Sequence, residues 1–552
     1  WQPLPGAFYA PCVDGDYDMT VIGHEYGHAI ENRMIAKGVG SRQGNYAGGM
    51  GEAFGDFDAL EYLNANHYAP VPGSDPWTEG AYVTGNHYNG IRDFLASEPM
   101  GGDLPTPGHN PKTDPLNLGD YGFDNVGPEV HADGEIWVAV EYDIRELMLD
   151  RYKSNGPQLD IDCARGRVPV ASCPGDRRWI QLYYDSMLLM PRNPTILVAR
   201  DAMIAADMAR FGGADLDLLW QAFAQRGFGR LATTTSTQDT DPVPDFSSPV
   251  ASNATITFAA VAGGGSTLPV NATIYVGDYQ ARVTPIADTD PSTTGPNRDE
   301  TAQFVPSAGR NDAYDFVASA PGYGHVRFMV KHLSPGETRN ITITFPANLA
   351  SAAQGATATG DGTNLGNLID DDEGTDWTST GAPVEGRQVT VKLAGTGPVT
   401  FKRVKVSTLL VPGQNRFTAL RSFELYACSA GTDAANPTCD GANAAGWKRI
   451  LQSGSDAFPS VNPRPVAPDM TLRGWNVPAT TATHVKLVVT ANQCTGQTSY
   501  QGDQDNDPNN NSDCRIGNAV GPFPSRATEV HATELQVFAD DAGVSGKEVQ
   551  AG

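Results

Sequence analysis

Apolar residues recur every three or four positions in EIWVAVEYDIRELMLDRY from Glu135, WIQLYYDSMLLM from Trp179, NPTILVARDAMIAADMARF from Asn193 and ADLDLLWQAFAQRGFG from Ala214. That spacing predicts amphipathic helices between Asp16 and about Arg230. Asn193-Pro194 fits a helix start, and Gly212-Gly213 and Gly227 fit helix ends. Loops around 67–90 and 98–128 interrupt the helices, and loops of that length inside a domain usually carry function. The pattern changes at TTTSTQDTDPVPDFSSPV, Thr233 to Val250, which has the composition of a linker. Beyond it the period falls to two. ATITFAAV, NATIYVG, HVRFMVKHL and NITITFP predict one small antiparallel β-sandwich, and RQVTVKL, FKRVKVSTL, SFELYAC, THVKLVVTA and TELQVFA predict a second. The patterning therefore predicts a multidomain α+β chain: a mainly helical part at 1–232, a linker at 233–248, sandwiches at 249–348 and 349–541, and a frayed tail at 542–552.

One helical stretch carries chemistry. In YDMTVIGHEYGHAIENRMI, His24 and His28 stand four apart and so lie one above the other on a helix face. Two imidazoles on successive turns can both reach one zinc ion at about 2.0–2.1 Å. A second amphipathic segment, NYAGGMGEAFGDFDALEYL, offers Glu52 as a third ligand and Asp56 one turn further along the same face. Asp56 there can accept a hydrogen bond from a ligand's free ring nitrogen. Glu25 follows the first histidine and projects toward a metal-bound water as general base. The chain has only ten histidines in 552 residues, so a chance His-Glu-x-x-His is uncommon; Glu52 and Asp56 on a second helix strengthen the metal reading over a solvated helix face. His67, His87 and His109 sit in polar loops and read as solvated.

Charge and cysteines narrow the setting. With 38 Lys+Arg against 64 Asp+Glu the formal net charge is -26, which disfavours nucleic acid and anionic membranes as partners. No apolar run is long enough to span a bilayer. Six of the seven cysteines fall into close neighbours, Cys163/Cys173, Cys428/Cys439 and Cys494/Cys514, without a Cys-x-x-Cys pattern. Local disulfides in a secreted, extracellular protein account for them, and Cys12 is left over.

GHEYGHAIENR followed by GGMGEAFGDF resembles the fungalysin family of zinc metallopeptidases, relatives of thermolysin. The likeness continues through GIRDF at Gly90, EVHADGEIWVAV at Glu129 and the helices from Arg200, and it covers about 1–230. It implies a thermolysin-like catalytic half in which His24, His28 and Glu52 bind Zn2+, Glu25 is the catalytic base and Asp56 orients a ligand. It also implies that His131 stabilises the tetrahedral intermediate and that Arg92 holds the substrate backbone. The reaction itself calls for a donor such as His131, because negative charge develops on the former carbonyl oxygen. NLIDDDEGTDWTS at Asn367 and the strand TELQVFA resemble discoidin-like (factor 5/8 type C) domains, jelly rolls that bind glycans, lipids or protein surfaces. FVASAPGYGHVRF at Phe316 is similar to small sandwiches appended to secreted peptidases.

The sequence departs from the thermolysin pattern in two places. The acid that binds paired calcium ions four residues before the first zinc histidine is replaced by Thr20. Asp14, Asp16 and Asp18 can offer oxygens to a single Ca2+, although an acidic loop ahead of a helix N-terminus is the plainer account; the run Asp370–Glu373 with Asp376 reads equally as a structural calcium site or a solvated turn. Only 23 residues precede His24, too few for the β-rich half that walls the active site in this family. The missing half is then expected as a partner, and a candidate for the mate of Cys12. The expected function is a secreted zinc endopeptidase acting on peptides or proteins, its β modules binding a glycan or cell-surface ligand. The alternative is an extracellular adhesive or structural protein built on an inactive peptidase scaffold.

Overall fold

The computed structural model describes residues 14–40, 43–68, 74–102, 113–263, 269–460, 464–497, 514 and 525–539. Its N-terminal part is helical: α1 (Met19–Met34), α2 (Asn45–Ala65), α3 (Ala81–Thr84), α4 (Val130–Arg151), α5 (Pro157–Ala164), α6 (Gly175–Leu189), α7 (Ile196–Phe211) and α8 (Leu216–Gln225). Side-chain caps set several of their starts. Asp18 Oδ1 accepts the Thr20 N–H at 3.0 Å ahead of α1, and the Glu129 carboxylate accepts the N–H groups of His131 and Ala132 ahead of α4. Thr195, not Asn193, caps α7, which ends on left-handed Gly212.

Missing β-carbons bring α1, α2 and α4 into backbone contact. A β-carbon on Gly27 of α1 would stand 2.9 Å from Gly55 Cα of α2, and one on Gly55 would stand 2.7 Å from His24 Nδ1. On the other side of α2, a β-carbon on Gly134 of α4 would fall 2.7 Å from the Gly49 carbonyl oxygen. α2 is consequently buried along most of its length between its two neighbours.

Seven strands follow: β1 (Ala254–Ala262), β2 (Thr273–Val276), β3 (Ala287–Asp288), β4 (Thr301–Phe304), β5 (Ala313–Ala320), β6 (Gly324–Lys331) and β7 (Thr338–Phe345). They form two sheets, β4-β1-β7 and β3-β2-β5-β6, which enclose a core that includes Phe258, Phe304, Phe316 and Phe328. β1 and β7 run parallel, from Thr255 opposite Thr338 to Ala262 opposite Phe345, whereas the expectation for this module was antiparallel throughout. They are its first and last strands, and the intervening chain is long enough for the crossover a parallel pair needs. Among the described residues ten further strands follow: β8 (Thr357–Gly360), β9 (Trp377–Thr380), β10 (Gln388–Lys392), β11 (Val399–Ser407), β12 (Leu420–Cys428), β13 (Lys448–Gln452), β14 (Arg473–Ala482), β15 (His484–Asn492), β16 (Glu529–Ala532) and β17 (Glu534–Phe538). They build the sheets β13-β12-β15-β10-β8, β14-β11-β17 and β16-β9.

The stretch 233–250 lies back on both neighbours: Thr233 pairs with Val243, Phe228 with Asp245, and Phe246 is fully buried. One apolar cluster runs from Trp137 and Trp179 among the helices through Phe94, Phe123 and Tyr279 to Leu410, Phe423 and Trp377 in the last module. Disulfides join Cys163 to Cys173, Cys428 to Cys439 and Cys494 to Cys514. Cys12 and the tail at 542–552 lie outside the described residues.

The contact of α1 with α2 is testable at Gly55. Replacing it by alanine gains about 1 kcal/mol of helix propensity but forces a methyl group into the His24 ring, and overpacking costs about 1–3 kcal/mol. Urea unfolding of Gly55→Ala should show a net loss of stability; a gain would mean that the helices are not packed this closely.

Candidate metal centre

α1 presents His24 and His28 on one face, their rings 4.7 Å apart and nearly perpendicular. α2 brings Glu52 up to both, with Oε2 3.2 Å from His24 Nε2 and Oε1 3.7 Å from His28 Nε2. One nitrogen from each ring and a Glu52 oxygen lie within 4.8 Å of one another. Glu52 Oε2 is buried, and His28 keeps 26% of its side chain exposed. Two imidazoles, a buried carboxylate oxygen and one open side fit a catalytic zinc, which takes three protein ligands and keeps a position free.

Behind this trio Asp56 works in two directions. Its Oδ1 faces His24 Nδ1 at 2.7 Å, and Arg92 grips the same carboxylate through Nε at 2.7 Å and Nη2 at 2.6 Å. A carboxylate only accepts, so Nδ1 carries a proton and Nε2 is directed at Glu52. Burial by itself would push the His24 pKa down; hydrogen bonding to Asp56 and Glu52 outweighs it and lifts the value to about 10. Burial likewise opposes ionisation of Asp56, yet the Arg92 charge and the His24 bond hold it well below the usual carboxylate range. Arg92, which the resemblance implied would hold the substrate backbone, is only 6% exposed and spends two N–H groups on Asp56. His28 Nδ1 faces Glu31 at 3.9 Å.

His131 stands at the first turn of α4 with 52% of its side chain exposed. Its Nε2 is 3.4 Å from Glu52 Oε2 and its Nδ1 is 2.5 Å from Glu129 Oε1. Burial works against the Glu129 charge, but the bond to His131 pulls its pKa down to about 2. Glu129 was not singled out in the sequence; its place just before an apolar-periodic run, the N-cap position, is the signal that marks it. Glu25 is exposed one position past His24, and its charge acts on His28. Glu135 shapes the turn that bears Arg92 by accepting the N–H groups of Asp93 and Phe94, each at 2.8 Å.

Glu79 was also missed. It is 2% exposed, neither carboxylate oxygen has a hydrogen-bond partner, and burial together with the Asp56 charge lifts its pKa to about 8. With His24 and Asp56 it forms a second close group of possible ligands. That group does not suit a cation, because Asp56 is already spent on Arg92 and His24 and the guanidinium supplies the positive charge. Among the described residues, neither Asp14, Asp16 and Asp18 nor the Asp370–Asp376 run gathers three such ligand atoms. Asp18 acts as a cap, and its Oδ2 also accepts the N–H of Val83 at 3.1 Å.

The fungalysin metallopeptidase (M36) family model matches residues 8–232. An extracellular metalloproteinase of Leptosphaeria maculans is 31% identical over 240 residues, covering 42% of this chain and 33% of the relative. One from Aspergillus flavus is 33% identical over 226 residues, covering 40% and 32%. The chain thus spans about a third of the length of these curated relatives. Among solved structures, the CBM32-5 module of a Clostridium perfringens GH89 protein, in complex with GalNAc-β-1,3-galactose, aligns with 20% identity and a TM-score of 0.20, over 35% of this chain and 100% of that one. By sequence, residues 8–232 match the fungalysin metallopeptidases, and that segment holds His24, His28, Glu52, Asp56, Arg92 and His131.

Proposed function

We propose that this chain is a secreted zinc endopeptidase whose site is built on α1, α2 and the start of α4. The observation that carries the reading is the meeting of His24, His28 and Glu52 within ligand distance of one another, beside Glu25 and with His131 on the far side of Glu52. His24, His28 and Glu52 would hold the ion. Bound there, zinc supplies a water of lowered pKa and polarises the scissile carbonyl. Glu25 takes the proton of the attacking water and hands it to the leaving amine. His131, its Nδ1 tied to Glu129, turns Nε2 toward the oxygen on which charge develops. Asp56 and Arg92 keep His24 in the tautomer that leaves Nε2 free. The three disulfides fit an oxidising compartment, and relatives of the matching segment are named extracellular metalloproteinases. Among the described residues no helix is long and apolar enough to cross a membrane. We divide the chain into a peptidase segment at 1–232 and β modules at 249–348 and 349–541, the last serving to bind a glycan or surface ligand as its discoidin-like sequence suggests.

A quenched-fluorescent peptide mixture tests the reading on the full chain. Cleavage should stop with a zinc chelator, and Glu25→Gln should lower kcat by about 10²–10⁴-fold with its zinc retained. Zinc binding without cleavage would point to the scaffold alternative, and absence of both would overturn the reading. His131→Ala should cost about 10²–10³-fold in kcat with little change in zinc affinity. Asp56→Asn should weaken zinc about 10–100-fold in a competition titration; an unchanged affinity would remove Asp56 from the ligand support.

A further inference from the structure

Two buried carboxylates lie near the site in the chain and pair elsewhere. Asp93 follows Arg92 directly, and Asp124 sits in the loop that leads to Glu129 and His131; both are 0% exposed. Their counter-charges come from the last β module. Arg416 grips Asp124 through both Nη atoms, each at 2.6 Å, and Arg464 reaches Asp93 Oδ1 through Nη2 at 2.8 Å while also donating to the Ile91 carbonyl. The Ala467 N–H adds 3.1 Å to the other Asp93 oxygen. Arg282, from the small sandwich, donates to the carbonyls of Gly122 at 2.9 Å and Asp124 at 2.7 Å, and to Leu410 of the last module at 2.8 Å.

Apolar packing follows the same line. Phe94, Phe123 and Tyr279 form a triangle with ring centres 5.5–6.4 Å apart, joining the two site loops to the small sandwich. Where the loop passes Pro412, a β-carbon on Gly127 would approach to 2.8 Å, and the Gly413 N–H donates to Val126. A buried carboxylate stripped of its partner is an uncompensated charge, so losing either arginine disfavours this conformation of its loop.

We propose that the β modules are a working part of the peptidase site, with Arg416 and Arg464 as positioning residues that fix the loop leading into His131 and the loop bearing Arg92. The inference rests on the peptidase reading for its catalytic consequence and not for its structural one. The modules are then a wall of the catalytic unit in addition to any surface they bind.

Amide hydrogen exchange on the full chain tests it without activity. In Arg416→Ala, amides of 122–132 should exchange roughly tenfold faster or more, and in Arg464→Ala those of 89–95, while β10, β12 and β15 keep their protection. Arg449→Ala, which breaks an exposed pair with Glu424 in the same module, should leave both loops as they were. Unchanged protection in the two loops would overturn the proposal. So would a loss confined to the β module. If Arg416→Ala unfolds the module, Arg416→Lys, which keeps the charge and loses the fork, decides on the same amides.

Activity gives the second arm. Arg416→Ala should lower kcat about tenfold with KM within about twofold, and should have no further effect in a His131→Ala background, because it acts through that residue. Full additivity would overturn the route through His131. If the unaltered chain neither binds zinc nor cleaves peptide, the peptidase reading fails while exchange still decides the clamp.

Discussion

The carboxylate of Asp56 is the point on which the site depends. One oxygen is shared between the His24 imidazole and a guanidinium, and the other is held by the same guanidinium. Burying one carboxylate, one arginine and a histidine in a helix-packed interior is costly unless every charge is met. Here each is met by the others, and the geometry that meets them turns His24 Nε2 toward Glu52. Removal of any one of the three leaves a buried charge beside the residues proposed to hold the ion.

The glycines of α1, α2 and α4 make this possible. Larger residues would hold the helices apart, and His24, His28 and Glu52 would no longer converge. Gly55 lies under the His24 ring, and Gly134 lets the helix carrying His131 reach the same end of α2. Helix packing, ligand geometry and the placing of His131 are consequences of one close-packed layer. The β modules extend that layer outward: Phe94, Phe123 and Tyr279 continue its apolar contacts, and Arg416 and Arg464 neutralise the acids that flank it.

What was legible in the sequence is what local periodicity encodes. His24 and His28 are four residues apart on one helix, as are Glu52 and Asp56 on the next, so their shared faces follow from 3.6 residues per turn. The change from helical to two-residue periodicity after Ala232 likewise marked where strands begin. The unread parts depend on distance along the chain. Arg92 reaches Asp56 across 36 residues, Arg416 reaches Asp124 across 292 and Arg464 reaches Asp93 across 371. No periodicity encodes such pairs. The parallel β1–β7 pairing escaped for the same reason, since alternation gives the face of a strand and not its neighbour. Glu79 was invisible because an isolated acid in a polar loop reads as solvated until its burial is known.

Zinc-edge X-ray absorption on the zinc-loaded full chain tests the central claim most directly. The account predicts nitrogen and oxygen ligands at about 2.0–2.1 Å, with imidazole scattering from two rings that falls to one in His28→Ala and an oxygen contribution that changes in Glu52→Gln. A spectrum unmoved by both substitutions, or a chain that takes up no zinc, would contradict it.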